Sequence, residues 1–599
     1  MNPIWQSEFK KSVAHTLAQT LESVFKIDAL PADPKSKTQD KSLEASVLRL
    51  LVVPPEFKMG QLAFPCFQLA KSLKLGPPQI AQKIVEALQN NPQALIAKAQ
   101  IAGAYVNFFL NFEASSQKYS ENIKSEKYFA ELSLNKREQI DLEYMQPNTH
   151  KALHLGHMRN LFYGDAVCNL LDRIGNNVIR TTYPGDLGTH IAKVLWYLKK
   201  IPRDSWPTEH KATWLGHQYA EATQKIEALE EAAKTQAQKE IQDILAHLQE
   251  NKGDDYALYL ETREWSLDEM KRVYAWSNSH FHKWYFESEC DVPSRELVKE
   301  LASKGVFQKS EGAIGLHLGD ELGFALLLKS DGNGLYLTKD IELIKRKFSD
   351  PKTERAIYIV DSRQKLHFKQ LFKVAEAMGF EQAKKSEHLS YENVNDESGN
   401  AFSSRDSRGL SLEQLRTQIE DIVKREYMER HKGEWTDAEI DESSEKITLA
   451  ALKYGMLRID PLSPIKFILS QWIALEGETG PYLQYVFTRC QSILSKAEKA
   501  PSEFNVSSMT FEKSEEEELF YTLYRYNEIV EAAALDYRPN HLANYVYDIA
   551  KLFNRFYKEC SVLGSEGKTR ESRLQLVWLT QKIISDAFGL LNLPLIKRM

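Results

Sequence analysis

The sequence predicts an α/β protein in which a parallel-sheet domain with a helical insertion is flanked by a small α/β N-terminal domain and an all-α C-terminal helix bundle. Three observations predict it. Between about Gln139 and Leu412, apolar runs such as NVIRTTY, FALLLKS and AIYIVDS alternate with helical periodicity, as expected for strands of a parallel sheet and the helices crossing between them. Within that span, residues 216 to 285 are nearly free of Gly and Pro and rich in Glu, Lys and Ala, which predicts a helical insertion. From about Glu445 onwards helical spacing dominates, with loops near Gly477 to Pro481, Pro501 to Ser508 and Gly564 to Lys568.

Taken in order, the chain opens with a helical pattern from Phe9 to Phe25 and a polar loop through Pro31 to Pro34. FPCFQLAKSLK, PPQIAQKIVEALQ and the strand-like AYVNFFLNF follow and complete an N-terminal domain of residues 1–115. A charged stretch from about Ser115 to Arg137 reads as a connection. The sheet domain is expected at 116–440, with its helical insertion at about 200–290 and a loop at about 400–410. The helix bundle takes 441–599.

Composition bounds the function. With 599 residues, 43% apolar and 27% charged, the chain has room for several folded domains, and wholesale disorder is excluded. MNPIWQSEFKKSV lacks the apolar core of a signal peptide and no apolar run approaches a membrane span, so a cytoplasmic protein without a membrane partner is expected. The five cysteines, Cys66, Cys168, Cys290, Cys490 and Cys560, form no CxxC pair, which argues against structural zinc and a disulfide framework. A net charge of −6 argues against non-specific coating of nucleic acid. Lys345-Arg346-Lys347 and the set Lys551, Arg555, Lys558 read as solvated helix faces.

The most informative stretch is DLEYMQPNTHKALHLGHMRN, Asp141 to Asn160. Ile140, Leu142 and Tyr144 alternate with polar residues like a strand with one buried face, and Pro147-Asn148 ends it. A helix follows from about Gly156. His154 and His157 therefore lie beside a helix N-terminus, where free N–H groups and the helix dipole favour phosphate. Gly156 between them leaves space for a ligand against the backbone. YPGDLGT, Tyr183 to Thr189, occupies the loop after the strand NVIRTT, at the sheet edge where open parallel sheets bind ligands. In DGNGLYLTKDIELIKRKF a turn leads to a short strand and then a helix, bringing Tyr336 and Asp340 to that edge. Glu143, Asp340 and the Tyr336 hydroxyl together suit a planar guanidinium, whose donors pair with carboxylates in bidentate fashion. Gln364 and His367 add neutral hydrogen-bonding groups, and Asn148 an amide for an α-amino or α-carboxylate group.

HLGH resembles the HIGH signature of class I aminoacyl-tRNA synthetases and related nucleotidyltransferases. The longer blocks narrow the resemblance to the arginyl-tRNA synthetases. EYMQPNTHKALHLGHMRN is similar to that family's E-x-S-S-P-N-x-x-K-x-x-H-x-G-H-x-R, YPGDLGT to its H-x-G-D-W-G-T, and LYLTKDIE to its Y-x-T-x-D-I. KMGQLAFPCFQLAKSL with AYVNFFL resembles its additional N-terminal domain. ALKYGMLRIDPLSPIKF, ETGPYLQYVFTRCQSIL and LANYVYDIAKLFNRFYKEC resemble its helical anticodon-binding domain.

The resemblance implies a Rossmann-type catalytic domain that joins L-arginine to tRNA(Arg) through arginyl-adenylate, with ATP as substrate and Mg²⁺ accompanying it. It implies that Glu143, Asn148, His154, Tyr336, Asp340 and Gln364 bind arginine, and that His154, Gly156, His157, Ser403, Ser404 and Arg405 bind ATP. His154, His157, Lys151 and Arg405 are the candidates for catalysis. Asn107, Phe109, Tyr482, Tyr485 and Met599 are the candidates for tRNA contact; Phe556 and Tyr557 join them, with fewer than half of the bundle aromatics expected to touch RNA. No dedicated metal cage is expected, and the chain is expected to act as a monomer.

The sequence departs from the family pattern in three places. Ala401 stands where the second signature loop, here AFSSRDSRG, carries its first lysine, and Lys151 is the expected substitute. Gln146 replaces a Ser, and Thr182-Tyr183 with Leu187 replaces Asn-His and Trp. Two alternatives follow: a tRNA-binding paralogue that has lost catalysis, suggested by Ala401, and a different class I synthetase or adenylyltransferase, suggested by HLGH alone.

Overall fold

The structure is a computed structural model that describes residues 7–30, 42–89, 92–125, 128–129, 137–402, 411–497 and 509–599. The chain divides into two units. One comprises residues 134–482 with 589–597 and 599, the other residues 1–133 with 483–588 and 598.

The first unit is organised by a parallel sheet of five strands. Their order is Glu387–Tyr391, Thr353–Asp361, Gln139–Glu143, Asn177–Thr182 and Lys283–Trp284. The chain steps from Gln139–Glu143 to Asn177–Thr182 on one side, and its later strand Thr353–Asp361 returns to the other side. Glu143 thus ends the strand at which the order reverses, where a parallel sheet opens a crevice at its C-terminal edge. Gln139–Glu143 does not have one wet face as expected. It lies between two strands, so Asp141 and Glu143 are as buried as Ile140 and Leu142.

Two other expectations fail in this unit. Phe324–Leu328 is not in the parallel sheet but pairs antiparallel with Ala313–His317, which pairs with Gln308–Ser310. The short strand expected at LYLT is the first turn of a helix, Tyr336–Phe348. Thr338 sets that start, donating to the Leu327 carbonyl and accepting from the Leu335 N–H. The insertion is helical as expected: Lys211–Glu227, Glu231–Glu250 and Gly253–Trp276 enclose a core of Leu215, Ile241, Ile244, Leu248 and Leu258. The helix Asp437–Leu457 and the chain up to Tyr482 also belong with the sheet, beyond the expected boundary at 440.

In the second unit, an antiparallel sheet of Leu62–Pro65, Tyr105–Leu110 and Ile96–Ala102 packs with the helices Glu8–Phe25 and Pro77–Gln89. The stretch read as a connection contains a helix, Phe112–Lys124, capped by the Asn111 side chain. The bundle is built from Ser514–Tyr524, Tyr526–Leu535, Pro539–Glu559 and Gly567–Leu590. N-terminal and C-terminal parts share this unit through buried bonds: the Tyr119 hydroxyl donates to Leu523 O (2.6 Å) and the Tyr521 hydroxyl to Gln61 O (2.9 Å). The loops expected at Pro31 to Pro34 and Pro501 to Ser508 lie outside the described residues.

Candidate active site

The two histidines of HLGH organise the start of the helix Leu155–Arg173. His154 is the N-cap in extended conformation. Its Nδ1 accepts from the Gly156 N–H (3.1 Å), and His157 Nδ1 accepts from the His154 N–H (3.2 Å). The rings face each other with centroids 3.9 Å apart. A nitrogen that accepts from an amide carries no proton, so both neutral rings hold theirs on Nε2. Burial pushes His154 down to about 4. Burial, then the charges of His154 and Lys151, push His157 well below the usual histidine range. The pair is therefore neutral at pH 7. The expectation of free N–H groups at this helix start changes accordingly: part of the donor set is used by the rings, which pass it on as imidazole N–H.

The rest of HLGHMRN is structural. Asn160 ties three strand ends together: its amide oxygen accepts from the Met145 N–H, and its NH₂ donates to Ile359 O (2.8 Å) and the Tyr391 hydroxyl (3.2 Å). The Arg159 guanidinium donates to the carbonyls of Asn393, Asp460, Pro461 and Ser463, holding the chain on both sides of the parallel pair Val394–Asn395 and Ile465–Lys466. Sequence reasoning assigned neither residue. Their positions three strands or three hundred residues from their partners leave no local signal.

YPGDLGT comes to the same edge. Gly185 bridges Asn148 in parallel fashion, and a Cβ on Gly185 would stand 2.3 Å from Asn148 Oδ1. Asp186 is fully buried and serves as an anchor, accepting from Arg263 Nε (2.8 Å), the Ser288 N–H (2.8 Å) and the Ser288 hydroxyl (2.8 Å).

These segments enclose a cleft of about 570 Å³. Glu143, Asn148, His154, Gly156, His157, Tyr336, Asp340, Gln364 and His367, all expected from sequence, line it, together with Ala401 and Phe402 at the start of the second signature loop. Ser403, Ser404 and Arg405 lie outside the described residues. Lys151 is not in the lining; its Nζ sits 5.0 Å from the Tyr219 ring centroid, and its charge is felt at His157 and His190.

The carboxylates of the cleft differ in their partners. Glu143 meets Lys347 Nζ at 2.8 Å, and Asp141 meets the same Nζ at 2.9 Å. Lys347, expected on a solvated face, is fully buried. Glu287 pairs with Lys339 (3.0 Å) and Asp361 with Arg363 (2.7 Å). Asp340 pairs with His367 Nε2 at 2.6 Å. Glu287, Lys339 and Lys347 were missed by sequence reasoning because helical charges resemble solvated ones until packing is known. The departure at Gln146 has a structural use: its amide donates to Glu143 Oε1 (3.2 Å) and to Ile359 O (3.5 Å).

The tRNA candidates are placed differently. Asn107 is buried and donates to Met59 O (2.8 Å), a structural tie, whereas Phe109 is half-buried under Lys98 Nζ (4.3 Å). Phe556 is core. Tyr485 and the exposed Tyr557 both face the Arg489 guanidinium, at 4.6 and 5.5 Å. Tyr482 and Met599 are half-buried.

Comparison with known proteins accounts for most of the chain. Family models match the class I tRNA synthetase (R) catalytic domain at residues 120–467, the DALR anticodon binding domain at 483–599 and the arginyl-tRNA synthetase N-terminal domain at 8–110. A curated arginine–tRNA ligase from Bdellovibrio bacteriovorus is 40% identical over 93% of this chain and 95% of its own, and one from Treponema denticola is 31% identical over 94% and 96%. Among solved structures, Thermus thermophilus arginyl-tRNA synthetase matches 98% of this chain and 100% of its own with a TM-score of 0.75 at 24% identity. An arginyl-tRNA synthetase from Plasmodium falciparum matches 98% and 99% with a TM-score of 0.76 at 19% identity. Those two likenesses carry the fold, and the curated relatives with the catalytic-domain match carry the assignment: the chain belongs to the arginyl-tRNA synthetase family.

Proposed function

We propose that this chain ligates L-arginine to tRNA(Arg) with ATP. The arginine carboxylate attacks the α-phosphorus, diphosphate leaves, and the arginyl group of the adenylate then passes to the terminal ribose hydroxyl of tRNA, releasing AMP. The observation that carries the reading is the pair of neutral histidines at the helix start and Asp340, all lining one cleft. On this reading the Nε2–H groups of His154 and His157 hydrogen-bond charge growing around the α-phosphate, and Gly156 lets the nucleotide approach the backbone. Asp340, with Tyr336 and Gln364, receives the guanidinium; Glu143 shapes the same wall while held by Lys347. Asn148 and His154 orient the α-amino and carboxylate end. Catalysis is then positioning and electrostatic stabilisation, with no protein nucleophile.

On this reading Mg²⁺ would accompany the nucleotide and would supply neutralisation of its phosphate charge. The described residues include no group of three or more His, Cys, Asp or Glu suited to hold a metal ion. Ser403, Ser404, Arg405 and Lys151 are assigned to the triphosphate. If Lys151→Ala leaves activation unchanged while Arg405→Ala abolishes it, Lys151 is not the substitute for the lysine absent at Ala401.

For tRNA, Tyr485 and Tyr557 with Arg489 between them suit stacking of unpaired bases; Tyr482 and Met599 are assigned to the same arm of the tRNA, and Phe109 to another part of it. The enzyme is taken to act as a cytoplasmic monomer; no helix of the described residues is long and apolar enough to cross a membrane. The deciding experiment offers total tRNA, ATP and each amino acid in turn. Arginine alone should become attached. Attachment of another amino acid, or tRNA binding without any attachment, sinks the proposal.

A further inference from the structure

Among the described residues lining the cleft, three of the four carboxylates are held by cations that do not release their charge near neutral pH: Glu143 by Lys347, Glu287 by Lys339 and Asp361 by Arg363. Asp340 alone is held by a histidine, His367, through a 2.6 Å contact at Nε2. Imidazole is the one cation in this set that can become neutral in the physiological range. The guanidinium of arginine is permanently charged and needs a carboxylate of its own. A site whose carboxylate already carried a fixed cation would repel it.

We infer that His367 is an exchangeable counter-ion: the substrate guanidinium takes over Asp340, and the His367 imidazolium gives its Nε2 proton to solvent, so that arginine binding releases a proton. This rests on the arginine assignment made above. No covalent bond changes; one cation replaces another on a single carboxylate. The His367 side chain is about one-fifth exposed, so the proton has a route out. Around the pair, Glu143 and Glu287 bear on Asp340, as do the hydroxyls of Tyr183 and Tyr358, while on the other side His388 feels His367 together with Lys365 and Asp361. Burial by itself would lower His367, but the hydrogen bond and charge of Asp340 outweigh it and hold the imidazole above its usual value. The free enzyme therefore keeps the proton that the substrate displaces. A neutral isostere of arginine, such as citrulline, brings no charge to exchange and leaves the pair closed.

The test is calorimetric titration of arginine into the full-length protein with tRNA(Arg) present, at pH 6, 7 and 8, in buffers of different ionisation enthalpy, alongside the pH profile of KM for arginine in charging. The natural protein should release up to about one proton per arginine on the acid side, with KM falling by up to about tenfold per pH unit until His367 is neutral. In His367→Gln proton release should vanish and KM become flat with pH. In His367→Arg, with a fixed cation on Asp340, KM should rise at least about tenfold with no relief at high pH. A merely structural histidine predicts equal loss in both variants. Arginine binding without proton release in the natural protein, or undiminished release in His367→Gln, overturns the inference while leaving the substrate assignment standing. Failure to bind or charge arginine, with another amino acid charged instead, overturns the substrate assignment and this inference together.

Discussion

Lys347 shows what a single residue can decide. It is fully buried, and its ammonium serves both Asp141 and Glu143 while lying 4.2 Å from the Tyr358 ring centroid. Burial lowers its pKa, but the two carboxylates more than offset this and hold it raised, so it is a fixed charge. Lys347→Met would leave two carboxylates buried without a cation. The expected loss is about 3–5 kcal/mol of stability, the size seen when one partner of a buried ion pair is removed. Urea unfolding followed by circular dichroism measures it, and a loss below about 1 kcal/mol would mean the acids reach solvent or protonate at little cost. The same residue explains why part of the site was illegible. In KDIELIKRKF nothing distinguishes Lys347 from its exposed neighbour Lys345; only the burial of its side chain beside Asp141 and Glu143 does.

At the scale of elements, the strand–turn–helix order of the first signature was legible, but not the burial of both faces of its strand. Pro and Gly mark its turns, and the helix begins one residue before the expected Gly156. LYLT and FALLLKS were misjudged because a short apolar run carries no sign of its partner: Phe324–Leu328 suits an antiparallel edge as well as a parallel interior. The glycines of these elements separate stability from activity. A Cβ at Gly164 would stand 2.1 Å from Tyr144 Cδ2 in the core behind the sheet, whereas one at Gly185 meets Asn148 in the cleft. Gly164→Ala should therefore cost about 1–3 kcal/mol or more through overpacking. Gly185→Ala should lower kcat/KM for arginine at least about tenfold, since small misplacements of positioning groups have effects of that order, with a smaller change in stability. Thermal midpoints and charging kinetics on both variants check this, and the opposite pattern would contradict the roles given to Tyr144 and Asn148.

At the scale of the molecule, the unit around the sheet carries the fully buried histidine His150 and the half-buried His154, His157 and His190. Burial pushes His150 down to about 3, His154 to about 4 and His190 to about 3, and lowers His157 as well. Above pH 6.5 these rings are neutral folded or unfolded, and their contribution to stability is intact. As pH falls below 6.5 the unfolded chain binds protons that the folded one refuses, so stability is lost down to about pH 3–4, by up to about 1.4 kcal/mol per pH unit for each ring. Glu143, Glu287 and His367, all raised, act in the opposite direction and offset part of it. His150 binds Thr262 (2.8 Å) and, through its N–H, Ser266 (3.0 Å), both on Gly253–Trp276. The hydrogen-exchange protection of that helix, taken relative to the intrinsic amide rate at each pH, should fall between pH 6.5 and 5, and less so in His150→Gln, which has no proton to gain; an equal fall in both would rule His150 out as a cause.

By itself the sequence determined the α/β class, the family and nine of the residues that line the cleft, from Glu143 to His367. Those features rest on local periodicity and on motifs a few residues long. Only the tertiary structure decided which charges meet: that Glu143 is held by Lys347 and Asp340 by a histidine, that Arg159 and Asn160 are staples, and that residues 441–482 belong with the sheet. Charge pairing depends on distances between segments up to hundreds of residues apart and on burial that makes an ion pair compulsory. Local pattern records neither.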